Sequence, residues 1–287
     1  MQEVEKAIFA CVDGSKFSNS VCEYGIEISK TTQIPLKLLN TIEHSHKSNK
    51  VDFSGNLGLG EKDELLEELS NEDEKESKAL INNGKELLNT LKQKANDAGL
   101  RSVITSQRHG KLYDNLVELQ AKVRLLIIGL RGKDSQGNNI VGEQIEEILR
   151  NIEVPTLLVN QEFRPINKIM MAYDGSTSSI KALQSIVKSP LFKQDVRRYI
   201  VNVCNDERKS RMLLAQAAEL LHDTKLNIEL VSIKGEPLNE LLKFQSEHDI
   251  DAIVMGAFSH GKIRSAIFGS FTSKMIQNSS KPLILIR

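Results

Sequence analysis

The sequence has few of the residues and segments that characterise disulfide-rich, polyanion-binding and membrane proteins. Its 287 residues include no Trp and only three Cys, and the 38 Lys and Arg residues balance 38 Asp and Glu residues. Cys11, Cys22 and Cys204 lie far apart or on apolar segments and form no CxxC pair, which argues against a disulfide framework or a thiolate metal site. The balanced charge disfavours a nucleic-acid partner and leaves only a local basic patch as an alternative. Apolar runs such as Leu125–Ile128 are far shorter than the roughly 20 residues that span a bilayer, so no membrane partner is expected.

The start of the chain and its length lead to two further expectations. The opening MQEVEKAIFACVDGS places acidic residues before a short apolar run. A signal peptide begins with basic residues and has a longer apolar core, so we expect a cytoplasmic protein. At about 100–200 residues per domain, the length predicts two domains.

Two similar apolar runs end in the same short motif, far apart in the chain. Ala7–Val12 is followed by Asp13–Ser15, which reads Asp-Gly-Ser, and Ile169–Tyr173 is followed by the same three residue types at Asp174–Ser176. Repeats of this kind indicate copies of one structural unit. Each Asp would stand at the carboxyl end of the first strand of its copy.

A second match, near the end of each copy, involves two glycines and a proline. In each copy a Gly follows an apolar run, a second Gly stands 13 residues later, and a Pro stands 13 residues after that. The residues are Gly129, Gly142 and Pro155, then Gly256, Gly269 and Pro282. We interpret the chain as two tandem domains, 1–160 and 161–287, with an insertion near 43–76 in the first.

Short β-branched or Leu-rich runs alternate with longer helical patterns, which is typical of βαβ units and a parallel sheet. The first copy has predicted strands near Ala7–Val12, Leu36–Thr41, Ser102–Ser106, Arg124–Ile128 and Thr156–Val159; the second has them near Ile169–Tyr173, Arg198–Val203, Ile228–Ile233, Ala252–Met255 and Leu283–Ile286. Each copy is therefore predicted to be a doubly wound, Rossmann-like α/β domain with a five-stranded parallel sheet. Its ligand crevice should lie at the carboxyl ends of the strands. The last strand of each copy would be an apolar edge, which predicts that the copies pack as an internal pseudo-dimer.

The loop from Gly256 to Ser270 in the second copy has features of a phosphate site. Gly269 lacks a side chain that would obstruct an anion, and the following helix start presents unpaired backbone N–H groups. Ser270 adds a hydroxyl donor. The alternative is that the glycines only make turns and Ser270 only caps its helix.

The corresponding loop of the first copy ends in an acidic residue. Its glycines are Gly129, Gly132 and Gly142, and Glu143 follows where a hydroxyl would be expected. A carboxylate at a helix N-terminus is stabilised by the helix dipole and would repel a phosphate. Glu143 is therefore interpreted either as a built-in substitute for the anion or as an ordinary residue of a first helical turn.

The two motif aspartates also have two interpretations. Asp13 and Asp174 would either accept N–H or O–H groups of a ligand or cap the turn that follows them. Neither has a His or a nucleophile beside it in the sequence, which makes a role as general base weaker still.

Taken together, the Asp after the first strand, the Gly-x2-Gly-x9-Gly-Ser/Thr spacing and the closing Pro-plus-apolar strand resemble the universal stress protein family in its tandem form. The chain departs from the pattern at Glu143, which replaces Ser/Thr, and at Ser259, which replaces the second Gly of its copy. The resemblance implies an adenine-nucleotide alpha hydrolase-like fold and a crevice for ATP or another adenine nucleotide, with Mg²⁺ as an optional companion. By position it implicates Asp13, Thr41, Gly129, Gly132 and Gly142 in the first copy, and Asp174, Val203, Gly256, Ser259, Gly269 and Ser270 in the second.

These observations lead to one functional hypothesis and two alternatives. The hypothesis is a stress-response binding module that senses or holds an adenine nucleotide, with the second domain as the favoured site. The alternatives are a nucleotide-free interaction protein with degenerate crevices and a slow ATP hydrolase. The sequence lacks the Gly-x4-Gly-Lys-Ser/Thr and Gly-x-Ser-x-Gly motifs. Binding is favoured over catalysis because hydrolysis needs a water-orienting base and a metal ligand, and the resemblance places Asp174 near adenine, at the wrong end of ATP for such a base. A protein partner is expected but not identified, and a homodimer is a further option.

Overall fold

The computed structural model describes residues 6–43, 59–130, 143–188, 191–257 and 270–287. Strands and helices alternate through both copies. The first copy contains β1 (Ala7–Cys11), α1 (Ser18–Thr32), β2 (Leu36–Ile42), α2 (Leu59–Asp97), β3 (Val103–His109), α3 (Leu112–Leu119), β4 (Val123–Gly129), α4 (Glu143–Asn151) and β5 (Thr156–Val159). The second contains β6 (Lys168–Ala172), α5 (Thr177–Lys188), β7 (Arg197–Val203), α6 (Glu207–Leu221), β8 (Ile228–Ile233), α7 (Pro237–Glu247), β9 (Ala252–Gly256), α8 (Ser270–Asn278) and β10 (Leu283–Ile286). Each predicted strand is present at its predicted place, with ends shifted by a few residues.

The strands form a single ten-stranded sheet in the order β3-β2-β1-β4-β5-β10-β9-β6-β7-β8. The five strands of each copy are parallel, as predicted. The copies join where β5 pairs antiparallel with β10, with Leu157 opposite Ile284 and Leu158 opposite Leu283. The internal packing expected from two apolar edge strands is therefore present. Because the joining strands are antiparallel, the carboxyl ends of the two half-sheets point to opposite edges.

Helices cover both faces of the sheet, and each face has its own apolar core. One core joins α1, α2, α5 and α6 to the strands, through residues such as Val21 and Leu183. The other joins α3, α4, α7 and α8, through residues such as Ile148 and Met275. Central strands such as β4, VRLLIIG, read as nearly continuous apolar runs because they are buried on both faces.

The two copies differ most in the helix after their second strand. Helix α2 extends from Leu59 to Asp97, whereas its counterpart α6 extends only from Glu207 to Leu221. The acidic stretch within the predicted 43–76 insertion forms the beginning of α2, and residues 44–58 lie outside the described residues. Leu88, Leu91 and Ala95 are buried against the sheet. Within the described ranges, no helix combines the length and apolar character needed to cross a membrane.

Candidate functional site

The carboxylate of Asp13 organises the turn between β1 and α1. Its Oδ1 accepts hydrogen bonds from the backbone N–H of Ser15 at 2.9 Å and from the Ser18 hydroxyl at 3.0 Å. Ser18 Oγ in turn accepts from the backbone N–H of Asp13 at 3.2 Å and of Gly14 at 3.0 Å. Gly14 has φ of +80°, a conformation that residues with a side chain rarely adopt. The turn-capping interaction is thus present, and Asp13 stands exposed at the carboxyl end of its strand.

Asp174 occupies the matching position after β6. Its Oδ1 accepts from the backbone N–H of Ser176 at 2.9 Å, and Gly175 has φ of +74°. Partial shielding from water by itself raises the pKa of the Asp174 carboxyl. Hydrogen bonds from Ser176 and Ser179 outweigh that effect, and the net result is a pKa below the ordinary value. Asp174 is therefore a carboxylate, and an acceptor only, at neutral pH.

Two buried asparagines that the sequence interpretation missed hold these loops in place. Asn40 Nδ2 donates to the carbonyl of Val12 at 2.8 Å, and Asn202 Nδ2 donates to the carbonyl of Tyr173 at 2.8 Å. The accepting residue in each copy directly precedes the motif Asp. The available signal was an Asn directly before Thr41 and again directly before Val203. Each asparagine therefore fixes the position of the backbone directly before the motif Asp, at the carboxyl end of the strand.

The second oxygen of these asparagines has different surroundings in the two copies. Asn40 Oδ1 accepts from Gln107 Nε2 at 3.3 Å. At the matching register of the second copy stands Ser232, whose hydroxyl bonds to Ser210 at 2.6 Å instead. Asn202 Oδ1 is buried and has no hydrogen-bond partner within the described part of the chain. The loop anchor of the first copy is therefore the more completely bonded one.

The structure brings Asp13, Thr41 and Gly129 together around a crevice at the carboxyl ends of β1, β2 and β4. Its other lining residues are Cys11, Val12, Ser15, Ser18, Val21, Leu39, Leu112, Ile128 and Ile145. The described walls enclose about 60 Å³, less than the roughly 300–1,000 Å³ of most small-molecule sites. Burial, and secondarily Asp13, raises the pKa of the Cys11 thiol, so Cys11 is protonated at neutral pH. The crevice therefore presents hydroxyl, carboxylate and apolar groups, and no thiolate.

A carboxylate reaches the first turn of α4, where the sequence interpretation placed a phosphate. Glu43 follows β2, and its Oε1 accepts from Gln144 Nε2 at 2.7 Å. Glu143 is the first residue of the same helix, with a side chain outside the description. In the second copy the matching positions are Asn205, after β7, and Ser270, the first residue of α8. Only the first copy therefore carries acidic residues at these two positions.

In the second copy, Asp174, Val203 and Gly256 lie at the carboxyl ends of the neighbouring strands β6, β7 and β9. Gly256 also serves packing, because a Cβ placed there would lie 2.5 Å from the carbonyl oxygen of Ser178 and 2.6 Å from the backbone nitrogen of Ser179. The first turn of α5 thus rests directly on the end of β9. Hydrogen bonds within that turn link Ser176 to Ser179, at 3.2 Å and 3.0 Å.

Several predicted site residues lie outside the described residues. They are Gly132, Gly142, Ser259 and Gly269. Ser270 is described only as the first residue of α8. Across the described ranges, no cluster of three or more His, Cys, Asp or Glu side chains is arranged to hold a metal ion.

Comparison with known proteins identifies the family. The model of the "Universal stress protein family" matches residues 5–160 and again 165–287. The curated universal stress protein Slr1230 of Synechocystis is 30% identical over 289 residues, covering 98% of this chain and 100% of that protein. The crystal structure of a universal stress protein from Archaeoglobus fulgidus covers 100% of this chain and 99% of that chain, with a TM-score of 0.73 and 20% identity. A functionally unknown protein from Pseudomonas aeruginosa covers 99% of this chain and 93% of that one, with a TM-score of 0.62 and 15% identity. Matched by the family model in both copies and by a relative along its whole length, this chain belongs to the universal stress protein family.

Proposed function

We propose that the protein is a stress-response binding module that takes ATP or another adenine nucleotide, mainly in the crevice of the second copy. The preference for the second copy rests on the Glu43 carboxylate of the first copy, whose Oε1 lies 2.7 Å from Gln144 Nε2 in the first turn of α4. An anion at a helix N-terminus is stabilised by the dipole and unpaired N–H groups. With Glu43 and Glu143 at this end, a phosphate entering the first crevice meets like charge. Asn205 and Ser270, the matching residues of the second copy, present no such charge.

Each part of the second crevice has a role in this proposal. The Asp174 carboxylate accepts N–H or O–H groups of the base or ribose, and Val203 packs against the base. Ser259, Gly269 and Ser270, on the loop that leaves β9 at Gly256, bind the phosphates. In this proposal the two copies are separate domains, 1–160 and 161–287. In the first unit, the weaker counterpart consists of Asp13, Thr41, Gly129, Gly132 and Gly142.

The described groups support binding rather than covalent catalysis. Asp13 and Asp174 both use a carboxylate oxygen to hold their own turns. Cys11, the thiol in the first crevice lining, has a raised pKa and is a poor nucleophile in its protonated form. Occupancy by nucleotide would change the surfaces at the two opposite edges of the sheet, which supports a role in controlling contact with a partner.

Calorimetric titration of the full chain with ATP tests the proposal, with matched substitutions in the two copies. Asp174→Asn should weaken the tighter binding event, and Asp13→Asn should leave it unchanged. Ser270→Ala should remove one hydrogen bond to a charged group, roughly 1.5–3 kcal/mol of binding free energy. Glu43→Gln, which removes a negative charge from the start of α4 beside the first crevice, should strengthen the weaker event.

Three outcomes would contradict the proposal. They are no heat of binding with ATP, ADP or AMP, an affinity unchanged by Asp174→Asn, and an effect of Asp13→Asn equal to that of Asp174→Asn. Measurement of phosphate release on the same samples separates a binding module from a slow hydrolase. If the rate of phosphate release rises with nucleotide occupancy, the function is hydrolysis rather than binding.

A further inference from the structure

A cleft of about 430 Å³ lies between the two copies, away from both crevices. Its walls are α1 of the first copy and the connection between α5 and β7 of the second. The lining residues are Glu27, Lys30, Thr31, Phe192, Lys193 and Gln194. The volume is within the range of sites for small molecules.

The wall from the second copy has no equivalent of the same length in the first. Between α5 and β7 the chain runs through residues 189–196, whereas Gln33–Pro35 suffice between α1 and β2. The longer connection brings Phe192, Lys193 and Gln194 to the side of α1. The cleft is therefore a product of the asymmetry between the copies.

A buried arginine fixes this longer connection. Arg198, on β7, is 1% exposed and donates to the carbonyls of Lys193 at 2.8 Å, Gln194 at 3.2 Å and Phe192 at 3.5 Å, and also to the carbonyl of Val196. Burial of a guanidinium is unfavourable unless its donors are satisfied. Arg198 thus donates hydrogen bonds to four backbone carbonyls, and these bonds hold the wall in one conformation. A wall ordered in advance reduces the entropy lost when a ligand binds.

Glu27, on the opposite wall, has a carboxylate oxygen that lacks a donor. Its Oε2 is buried without a hydrogen-bond partner among the residues that the structure describes. Burial raises the pKa of the Glu27 carboxyl; Lys193 and the backbone N–H of Ile166 oppose that rise, and Asp251 adds to it. An unsatisfied buried acceptor is unfavourable, and a shift of the carboxylate toward an ammonium or hydroxyl donor in the cleft would relieve it.

The cleft presents charges of both signs. Lys30 and Lys193 are exposed at its rim, while the Glu27 oxygen is buried. A simple anion would satisfy the two ammonium groups but oppose Glu27, and a simple cation would be repelled by both lysines. Phe192, which is 7% exposed, lines the cleft with apolar surface. A ligand complementary to all of these groups carries a positive and a negative group and an apolar part.

We propose that this interdomain cleft binds a small zwitterion of the α-amino acid class. Its ammonium group donates to the Glu27 carboxylate, and its carboxylate faces the ammonium groups of Lys30 and Lys193. An apolar side chain packs against Phe192. The site is separate from the nucleotide crevices and does not depend on their occupancy.

Calorimetry and saturation-transfer NMR on the full chain test this site, with each standard α-amino acid as the probe and no nucleotide present. At least one amino acid with an apolar side chain should bind. Its N-acetyl and methyl ester derivatives, which lack one of the two charges, should bind about tenfold more weakly or worse. Glu27→Gln and Lys193→Gln should each weaken binding of the parent amino acid. Glu23→Gln is the matched control, because Glu23 lies one turn away on α1 and is paired with Lys94 at 2.8 Å.

The Glu27 variant should fold, since the substitution removes a partly buried charge and keeps the shape of the side chain. Its urea midpoint, measured beside that of Glu23→Gln, checks this. Failure of every amino acid to bind the wild-type chain would overturn the proposal. So would an affinity that is the same in Glu27→Gln and wild type, or N-acetyl derivatives that bind as well as their parents. None of these results bears on ATP titration, so the nucleotide proposal stands or falls separately.

Discussion

Gly256→Ala is a direct test of the contact between the end of β9 and the first turn of α5. A Cβ at this position would lie 2.5 Å from Ser178 O and 2.6 Å from Ser179 N, both backbone atoms of a helix start. Ordinary contacts of a Cβ begin near 3.4 Å. The first turn of α5 would therefore have to move by roughly 1 Å, and overpacking of this kind typically costs about 1–3 kcal/mol. Removing a Gly from the unfolded chain returns about 0.4–1 kcal/mol, so the expected net loss is about 1–2 kcal/mol.

Urea unfolding followed by circular dichroism measures this loss, and Gly84→Ala provides a matched control. Gly84 is buried, and a Cβ there would meet Asn40 Oδ1 and Gln107 Nε2, the ends of two side chains rather than backbone. Those ends can shift at the expense of about one hydrogen bond, 0.5–1.5 kcal/mol. Ala inside a helix returns about 1 kcal/mol relative to Gly. Gly84→Ala should thus change the free energy of unfolding by less than about 1 kcal/mol.

The reasoning would be refuted if Gly256→Ala unfolded at the wild-type midpoint, or if Gly84→Ala were the more damaging change. The first result would mean that α5 does not rest on the strand end. Gly256 would then be a residue of the ligand loop alone, and ATP titration of the variant would show a loss of affinity without a loss of stability.

Three further predictions concern the loop anchors and the buried arginine. Asn40→Ala should lower the urea midpoint more than Asn202→Ala. Asn40 has hydrogen-bond partners at both ends of its amide, whereas removal of the unpartnered Oδ1 of Asn202 breaks no hydrogen bond. Equal midpoints for the two variants would contradict this. Since hydrogen bonds hold the pKa of Asp174 below its ordinary 3.8, its carboxylate stabilises the fold above that pH, and the contribution is lost as the pH falls further; Asp174→Asn should therefore flatten the acid side of a midpoint-versus-pH curve. Arg198→Met should destabilise the protein by about 2–4 kcal/mol in the same urea assay, because several backbone carbonyls lose their donors. Arg197→Met is the control and should have little effect, because Arg197 is exposed and pairs with Glu229 at the surface.

The strands and helices were predictable because their signals are local. Runs such as Thr156–Val159 and Leu283–Ile286 are apolar on both faces, and turn residues bound them. Their pairing with each other was also predictable, since two buried edge strands need partners. The repeat itself, read from Asp13 and Asp174, predicted that the two halves would share one topology.

Other features depend on contacts between distant parts of the chain, so local patterns did not reveal them. Gly256 matches a phosphate-loop spacing, but its contact with Ser178 comes from another element of the fold. The role of Asn40 requires the register of β2 against the residues that follow β1. The connection that contains Phe192, residues 189–196, mixes polar and apolar residues, and nothing in that pattern indicates that it reaches α1. The nucleotide-site residues inferred from the family pattern remain predictions.

The antiparallel pairing of β5 with β10 has a consequence for how such a protein can evolve. In an assembly of two identical chains, any substitution in one crevice appears in both. Here the partner across the central strands is encoded in the same chain, so each crevice can change while the other is retained. Glu43 on one side and Asn205 on the other are one such divergence. The long connection before β7, present in one half only, is another. In a symmetric pair of identical chains, a cleft away from the symmetry axis would occur twice. Covalent linkage of the two halves allows such a cleft to occur once.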